Sequence, residues 1–366
     1  IHNGTVLQKG KTPLCENNQI VGVKDRKSLP AGCKIEHLDG GYLTPGFVDL
    51  QVNGGGGVMF NDDQTLQTLE VISQAHCRLG TYTFLPTLIT DTQARSQAAI
   101  DAVAMAIEKG VPGIAGIHLE GPHLSIARKG VHEPSLIRSM SDTDLNMIAD
   151  ATQRLPNVML TVAPESVTIP QTQTLAQAGV IVSLGHTNAD YDTCMAYMAA
   201  GARNTTHLFN AMSQLGSRNP GLVGATLDSG DVSASLIADA VHVHPASMRA
   251  ALRAKKGSSK IYLVSDAMAA AGSDLSQFIL NGRTVFRRTG TLRLLDGTLA
   301  GADIDMPRSI ETLVRQVGID AAQAISMATS IPANMLTLKG GYGLRKAASK
   351  ENLLYMDREF NLKDLG

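Results

Sequence analysis

Between Thr44 and Ala333 the chain repeats one unit: a short apolar or β-branched run, a turn and, in most cases, a stretch with apolar residues every three or four positions. The runs are Phe47–Val52, Thr81–Leu88, Ile114–Glu120, Val158–Ala163, Val180–Leu184, Asn204–His207, Ser233–Ala238 and Ile261–Ser265. Most are continuous rather than alternating, as parallel strands are when helices cover them. Gln64–Arg78, Thr92–Lys109 and Asp142–Arg154 carry helical spacing, and Pro245 suits a first helical turn. Parallel strands need a crossover, usually a helix, to bring the chain back to the same end of the sheet. Eight such units between residues 44 and 335 predict an α/β fold, a (β/α)8 TIM-type barrel.

The competing architecture is an open doubly wound sheet, whose signature is a GxGxxG loop running from the first strand straight into a helix. Gly54 to Gly57 do follow the first run, but Val58-Met-Phe-Asn-Asp-Asp63 comes next and no Gly-Lys-Ser/Thr is present. These glycines are expected to form a flexible loop at the barrel mouth, with close approach to a substrate as the alternative.

Right-handed crossovers bring successive strands out at one carboxyl end, where α/β proteins carry their sites. Four runs end there in residues with chemistry: Glu120, followed by the strand-stopping Gly121-Pro122, then His186, His207 and Asp266. His186 and His207 flank one βαβ unit, with Asp190 a candidate N-cap for the helix between them. Taken singly, each has a plainer explanation. A histidine ending a strand is most often a structural hydrogen-bonder, Glu120 could be a salt-bridged carboxylate, and Asp266 could cap a helix over Ala267–Ala271. Together they form a metal-hydrolase constellation. One carboxylate oxygen and two imidazole nitrogens suit zinc or a similar divalent ion, and three protein ligands leave room for water.

The formal net charge is −1 and the lysines and arginines are dispersed, which argues against a nucleic-acid footprint or a polybasic membrane patch. No window approaches the ~18 consecutive apolar residues of a membrane span. Cys15, Cys33, Cys77 and Cys194 are far apart and form no CxxC or Cys/His cluster, so free thiols in a reducing, cytoplasmic setting are expected. The first residue is Ile1, already in a strand-like stretch, and the true start of the chain is expected to lie upstream.

The segments PGFVDLQVNGGGG (45–57), PTLIT (86–90), HLEGPHL (118–124), KGVHEP (129–134), APE (163–165), GHTNA (185–189), THLFNAM (206–212), RNPGLVGA (218–225), ADAVHV (238–243) and VSDAMAAAG (264–272) run in order through almost the whole chain. In this order and spacing they resemble the N-acetylglucosamine-6-phosphate deacetylase family of the amidohydrolase superfamily. The resemblance implies metal-dependent removal of acetate from an N-acetylhexosamine 6-phosphate, N-acetylglucosamine 6-phosphate first and N-acetylgalactosamine 6-phosphate as the close rival. A catalytically inactive sugar-phosphate-binding protein is the alternative of another class.

Carried residue by residue, the resemblance implies Glu120, His186 and His207 as ligands of one divalent metal ion per subunit, zinc foremost. Asp266 would shuttle the proton, and His132 would polarise the acetyl carbonyl and help hold the substrate. Asn210, Ala211, Arg218 and His242 would bind substrate, the last two at its phosphate, where a guanidinium fork and an imidazole both suit an anion. Two-metal relatives carry a His-x-His pair at the end of the first strand; here Gln51 and Asn53 stand there, a vestigial second-metal position, since amides bind such metals poorly. Glu165 follows the fourth run where a lysine would be needed for a bridging carbamate. His118 is assigned a core or supporting role. The resemblance also implies a homodimer.

Short β-like pieces at Ile1–Gly4, Gln19–Val23, Leu29–Gly32 and His37–Gly41 suggest a small antiparallel layer in residues 1–43. Asn352–Asp357 has the same character, and the resemblance implies that residues 336–366 join residues 1–43 in a small β-sandwich-like domain. The tail from Arg345 to Leu353 departs from the family's pattern, which concerns its packing more than the chemistry.

Overall fold

All eight apolar runs contain strands in the computed structural model, which describes residues 1–3, 7–338, 341–344 and 348–365. They are β1 (Phe47–Val52), β2 (Thr81–Ile89), β3 (Ile117–Glu120), β4 (Val158–Val162), β5 (Ile181–Leu184), β6 (Asn204–Thr205), β7 (Ser233–Leu236) and β8 (Ile261–Leu263). They hydrogen-bond in sequence order, and every ladder is parallel. Between β8 and β1 there is no continuous ladder. A single parallel bridge, Val52 to Ala267, and two bonds from Asn53 N and Gly54 N to the Ala267 carbonyl draw the edges together.

Strand period two sorts the side chains. Ile117, Leu119, Val158, Leu160, Val162, Val182 and Leu184 face the helices and are buried with Leu69, Ile72, Ile100, Val103, Ile148 and Leu175. Burying each of the larger side chains contributes roughly 1.5–3 kcal/mol. The alternate positions His118, Glu120, Thr161 and Ser183 are buried and polar. They satisfy one another across the barrel. The Leu50 carbonyl accepts from His118 Nδ1 at 3.0 Å, so His118 Nε2 offers its lone pair to the Thr161 hydroxyl at 2.7 Å. Thr161 in turn meets Thr206 at 2.7 Å, and Thr206 meets Ser183 at 2.6 Å. Burial pushes His118 down to about 4, so it stays neutral and the chain of bonds is preserved. His118 lies one pleat below Glu120, and Thr161 is the register partner of Glu120 on β4.

The helices that cover the strands begin at caps. Helix α1 (Leu66–Arg78) starts two residues later than its apolar spacing suggests, because Thr65 accepts from Thr68 N. Helix α2 (Gln93–Glu108) is capped by Thr92, and α3 (Asp142–Ala151) opens with a Ser141/Asp144 capping box. It ends before Arg154, and Pro156 follows, which disfavours helix at the residue before it. Asp190 caps the helix Tyr191–Ala199 by accepting from Thr193 N, and Pro245 occupies the first turn of Pro245–Ala254.

Three expectations need correction. Leu29–Gly32 and His37–Gly41 form no strands. Pro30 lacks an N–H for a ladder, and Gly32, Gly40 and Gly41 take φ of +82°, +79° and +74°. A strand at Lys11–Glu16, not anticipated, pairs instead with Gln19–Asp25. The Gly54–Gly57 stretch is no flexible loop. Gly54 and Gly55 pair with Met59 and Val58 in a buried hairpin, and a Cβ on Gly54 would meet the Val58 carbonyl oxygen at 2.4 Å. Those glycines serve close packing within the chain. Of Ile1–Gly4, His2 makes one bridge with Leu7, and Gly4 lies outside the described residues.

The two ends of the chain do meet. Tyr42–Pro45 pairs antiparallel with Leu353–Met356, which also pairs with Leu362–Lys363. Ile20 N donates to the Ala348 carbonyl at 2.8 Å. Of the divergent tail, Arg345 to Ala347 lie outside the described residues.

A three-stranded antiparallel sheet, Gln277–Leu280, Arg283–Arg288 and Thr291–Arg293, follows β8. Its first turn, Asn281-Gly282, has φ of +49° and +73°, and Asn-Gly between two strand-like runs is a hairpin signal that the sequence did offer.

Candidate metal centre

At the carboxyl end of the barrel three side chains converge on one point. His207 Nε2 lies 3.0 Å from both Glu120 Oε1 and His186 Nε2, and His186 Nε2 lies 3.3 Å from Glu120 Oε1. All three residues are at most 4% exposed. His186 and His207 reach the axis because the backbone turns left-handed just past β5 and β6, with φ of +47° and +32°. Asp266, past β8, does the same at +49°. Non-glycine residues held in this region cost about 1–3 kcal/mol each and cluster at functional sites.

The donor set fits a zinc-sized cation. Ligand atoms about 2.0–2.2 Å from such an ion in tetrahedral array stand roughly 3.3 Å apart, close to the edges of this triangle. The His186 Nδ1–H donates to the Arg128 carbonyl at 2.8 Å, which leaves its Nε2 lone pair pointing inward. A wider group, Glu120 with His132 and His186, has ligand atoms within 4.8 Å of one another. The His207 triangle is the tighter nest, because His132 Nε2 stands 3.9 Å from the other carboxylate oxygen of Glu120.

His132 is held differently. Thr90 N donates to its Nδ1 at 3.3 Å, with the Thr90 hydroxyl at 2.7 Å, so the ring proton resides on Nε2. Burial, reinforced by the neighbouring His186, pushes its pKa down to about 3, which keeps the ring a neutral donor.

The carboxylates diverge. Burial alone would raise Glu120, but the imidazoles of His186 and His207 beside it hold it well below the ordinary range. For His207 burial acts downward, and the bond to Glu120 outweighs it and raises the pKa. Asp266 is raised to about 6 by burial and by the negative charge of Glu120. Gln51 Nε2 donates to Glu120 Oε1 at 3.0 Å and to Asp266 Oδ1 at 3.1 Å, and Asn53 Nδ2 donates to Asp266 Oδ1 at 2.7 Å. The two amides at the first-strand position therefore tie the two carboxylates together.

A cavity of about 530 Å³ opens above these groups. Asn210, Ala211 and His242 line it along with the five residues Glu120, His132, His186, His207 and Asp266. His242 Nδ1 donates to Asp239 at 2.6 Å, which orients the ring. Arg218 is exposed and is not among the lining residues.

A profile of the Amidohydrolase family matches residues 42–344. The chain belongs to the amidohydrolase family. It is 46% identical over 319 residues to an N-acetylgalactosamine-6-phosphate deacetylase of Shewanella sp. (strain ANA-3), covering 87% of this chain and 80% of that protein. It is 37% identical over 341 residues to an N-acetylglucosamine-6-phosphate deacetylase of Haemophilus influenzae, covering 92% and 88%. Among solved structures, an N-acetylglucosamine-6-phosphate deacetylase from Pasteurella multocida superposes with a TM-score of 0.91 at 34% identity, over 99% of this chain and 94% of that one.

Some of this amidohydrolase's site was not foreseen. Arg293, Gly297, Thr298 and Leu299, from the sheet after β8 and the turn that follows, line the cavity. That sheet is anchored to the His132 loop by Arg283, whose guanidinium donates to the Val131 carbonyl. Glu165, past β4, accepts from Thr187 Oγ1 at 2.6 Å and from Asn188 N at 2.7 Å, so it secures the turn that carries His186. Nothing in the sequence marks that contact, since the two segments meet only once the barrel is formed.

Proposed function

We propose that this amidohydrolase hydrolyses the acetamide of N-acetyl-D-glucosamine 6-phosphate, giving D-glucosamine 6-phosphate and acetate. The observation that carries this reading is the convergence of Glu120, His186 and His207 beside Asp266 in one cavity, in a chain whose relatives bear deacetylase names. Glu120, His186 and His207 would hold one divalent ion, zinc by the chemistry of the donors. When bound, such an ion supplies Lewis acidity toward an amide carbonyl and lowers the pKa of water.

The chain's own groups supply the rest. Asp266, ionised above about pH 6, accepts the proton of the attacking water as the new oxygen–carbon bond forms. His132 Nε2–H donates to the carbonyl oxygen as it becomes an oxyanion. Asp266 then delivers its proton to nitrogen as the carbon–nitrogen bond breaks, so the amine leaves neutral. Gln51 and Asn53 hold the Asp266 carboxylate through Oδ1 and leave the other oxygen for this traffic. Asn210 and Ala211 hold the sugar phosphate beside His242. Arg218, exposed and outside the lining of its own cavity, would meet the phosphate from the partner subunit of a homodimer. Four free cysteines suit a cytoplasmic enzyme.

The 46% identity to an N-acetylgalactosamine-6-phosphate deacetylase favours that sugar as the second reading. Acetate release by zinc-loaded and metal-stripped protein, on both N-acetylhexosamine 6-phosphates and on the unphosphorylated sugars, tests both. Release that needs metal and phosphate is expected, fastest with the glucosamine derivative. Faster turnover of the galactosamine derivative would install the second reading, and no release with metal bound would leave a sugar-phosphate-binding protein.

A further inference from the structure

Asp49 lies on β1, two residues before Gln51, is fully buried and forms no ion pair among the described residues. Its carboxylate accepts from three donors: Gln51 N at 3.1 Å, Ser265 N at 3.3 Å to one oxygen and 3.2 Å to the other, and the Ser265 hydroxyl. Three donors making four contacts form a site built for a carboxylate oxygen pair. It spans the seam between β1 and β8, the one place in the barrel without a continuous ladder.

The contact falls beside the residue assigned the proton transfer. Ser265 Oγ, which donates to Asp49, also accepts from Ala267 N at 3.2 Å. One hydroxyl thereby links Asp49 to the peptide that follows Asp266, while the Asp266 carbonyl of that same peptide accepts from Ala302 N at 3.1 Å. Asp266 has φ of +49°, a conformation that an L-residue with a side chain holds only when its surroundings enforce it. The same residue, Asp49, also grips the backbone N–H of Gln51, whose side chain ties Asp266 Oδ1 to Glu120 Oε1.

We propose that Asp49 is a positioning residue, which acts through Ser265 to hold Asp266 in the left-handed turn that aims its carboxylate at the reacting amide. The proposal rests on the deacetylase reading given above. Asp49 touches no substrate, so its loss alters the alignment of proton transfer and leaves the sugar and phosphate contacts of the cavity in place.

The test uses the full chain loaded with zinc and three variants: Asp49→Asn, Ser265→Ala and the double variant. Metal content and thermal melting are measured alongside turnover of N-acetylglucosamine 6-phosphate. The single variants are expected to lose roughly 100-fold in kcat with KM within about twofold, the order of loss when a reacting group is misplaced by about 1 Å. Metal content is expected to stay at the wild-type level. The double variant is expected to be no worse than the poorer single one, because both break one link. Restoration of most of kcat by Ser265→Thr, which returns the hydroxyl, would support the assignment. An unchanged kcat per bound metal would overturn it, even with a lower melting temperature, and so would losses that multiply in the double variant. Should Asp49→Asn not fold, Ser265→Ala decides alone. A crystal structure of Ser265→Ala gives a reading independent of turnover: an Asp266 carboxylate moved off Gln51 and Asn53 is expected, and an unmoved one refutes the proposal. If wild-type protein hydrolyses none of the sugars, the deacetylase reading fails and this structure still decides whether Asp49 positions Asp266.

Discussion

His186 Nε2 and His207 Nε2 face each other at 3.0 Å, with Glu120 Oε1 completing the triangle. His186 carries its ring proton on Nδ1, bound to the Arg128 carbonyl, so its lone pair is aimed at the other imidazole. The His186 lone pair and the Glu120 oxygen at this spacing repel unless a proton or a cation lies between them. This is why the triangle reads as a ligand set and not as a core hydrogen-bond cluster.

The first prediction concerns that set. Glu120→Ala removes the only anionic member of the triangle and leaves two imidazole ligands. Metal content by atomic emission is expected to fall to a small fraction of the wild-type value, with turnover falling in proportion. Full occupancy in the variant would move the ion to other ligands.

Asp266→Asn separates proton transfer from metal binding. The amide keeps the shape of the carboxylate and loses its basicity, so metal content is expected to be unchanged while kcat falls by about 100-fold or more. Near-normal turnover of the loaded variant would remove Asp266 from the mechanism.

The strand ends that carry Glu120, His186, His207 and Asp266 were legible because a buried parallel strand is a continuous apolar run and a polar residue at its end stands out. The function of Asp49 was not legible for the complementary reason. It sits inside such a run, Phe47–Val52, and its partner Ser265 is 216 residues away. The left-handed turns at His186, His207 and Asp266 were hidden too, since no glycine or asparagine marks them. Leu29–Gly32 and His37–Gly41 looked like strands by composition, yet proline and glycine conformations kept them out of any sheet. The sheet after β8 shows the opposite failure. Asn281-Gly282 marks a hairpin that lies outside the eightfold repeat, and the sheet it opens brings Arg293 and Thr298 to the cavity wall.

His242 offers a test of substrate binding apart from chemistry. It lines the cavity and is oriented by Asp239, while Asp239 also accepts from Val241 N and His242 N, so the loop survives loss of the imidazole. His242→Ala is expected to raise KM roughly tenfold or more with a small change in kcat, the loss of about one hydrogen bond to a charged group. An unchanged KM would place the phosphate elsewhere.

The last prediction is a proton count. His76, on α1, is 2% exposed, and its Nε2–H donates to the Gly54 carbonyl at 3.0 Å, fixing the buried Gly54–Gly55 hairpin beneath the cavity rim. Burial pushes its pKa down to about 4, against 6.5 for an unburied histidine. Between those values the unfolded chain binds the proton and the folded chain does not, so stability rises with pH across this window and is lost as pH falls from 6.5 toward 4. The full difference is on the order of 3 kcal/mol. Calorimetric unfolding near pH 5.5, in buffers of different ionisation heat, is expected to show about one fewer proton taken up by His76→Gln than by wild type. Equal uptake by the two proteins would mean that His76 is already charged in the folded state, and its bond to Gly54 would then have to be described as one from an imidazolium.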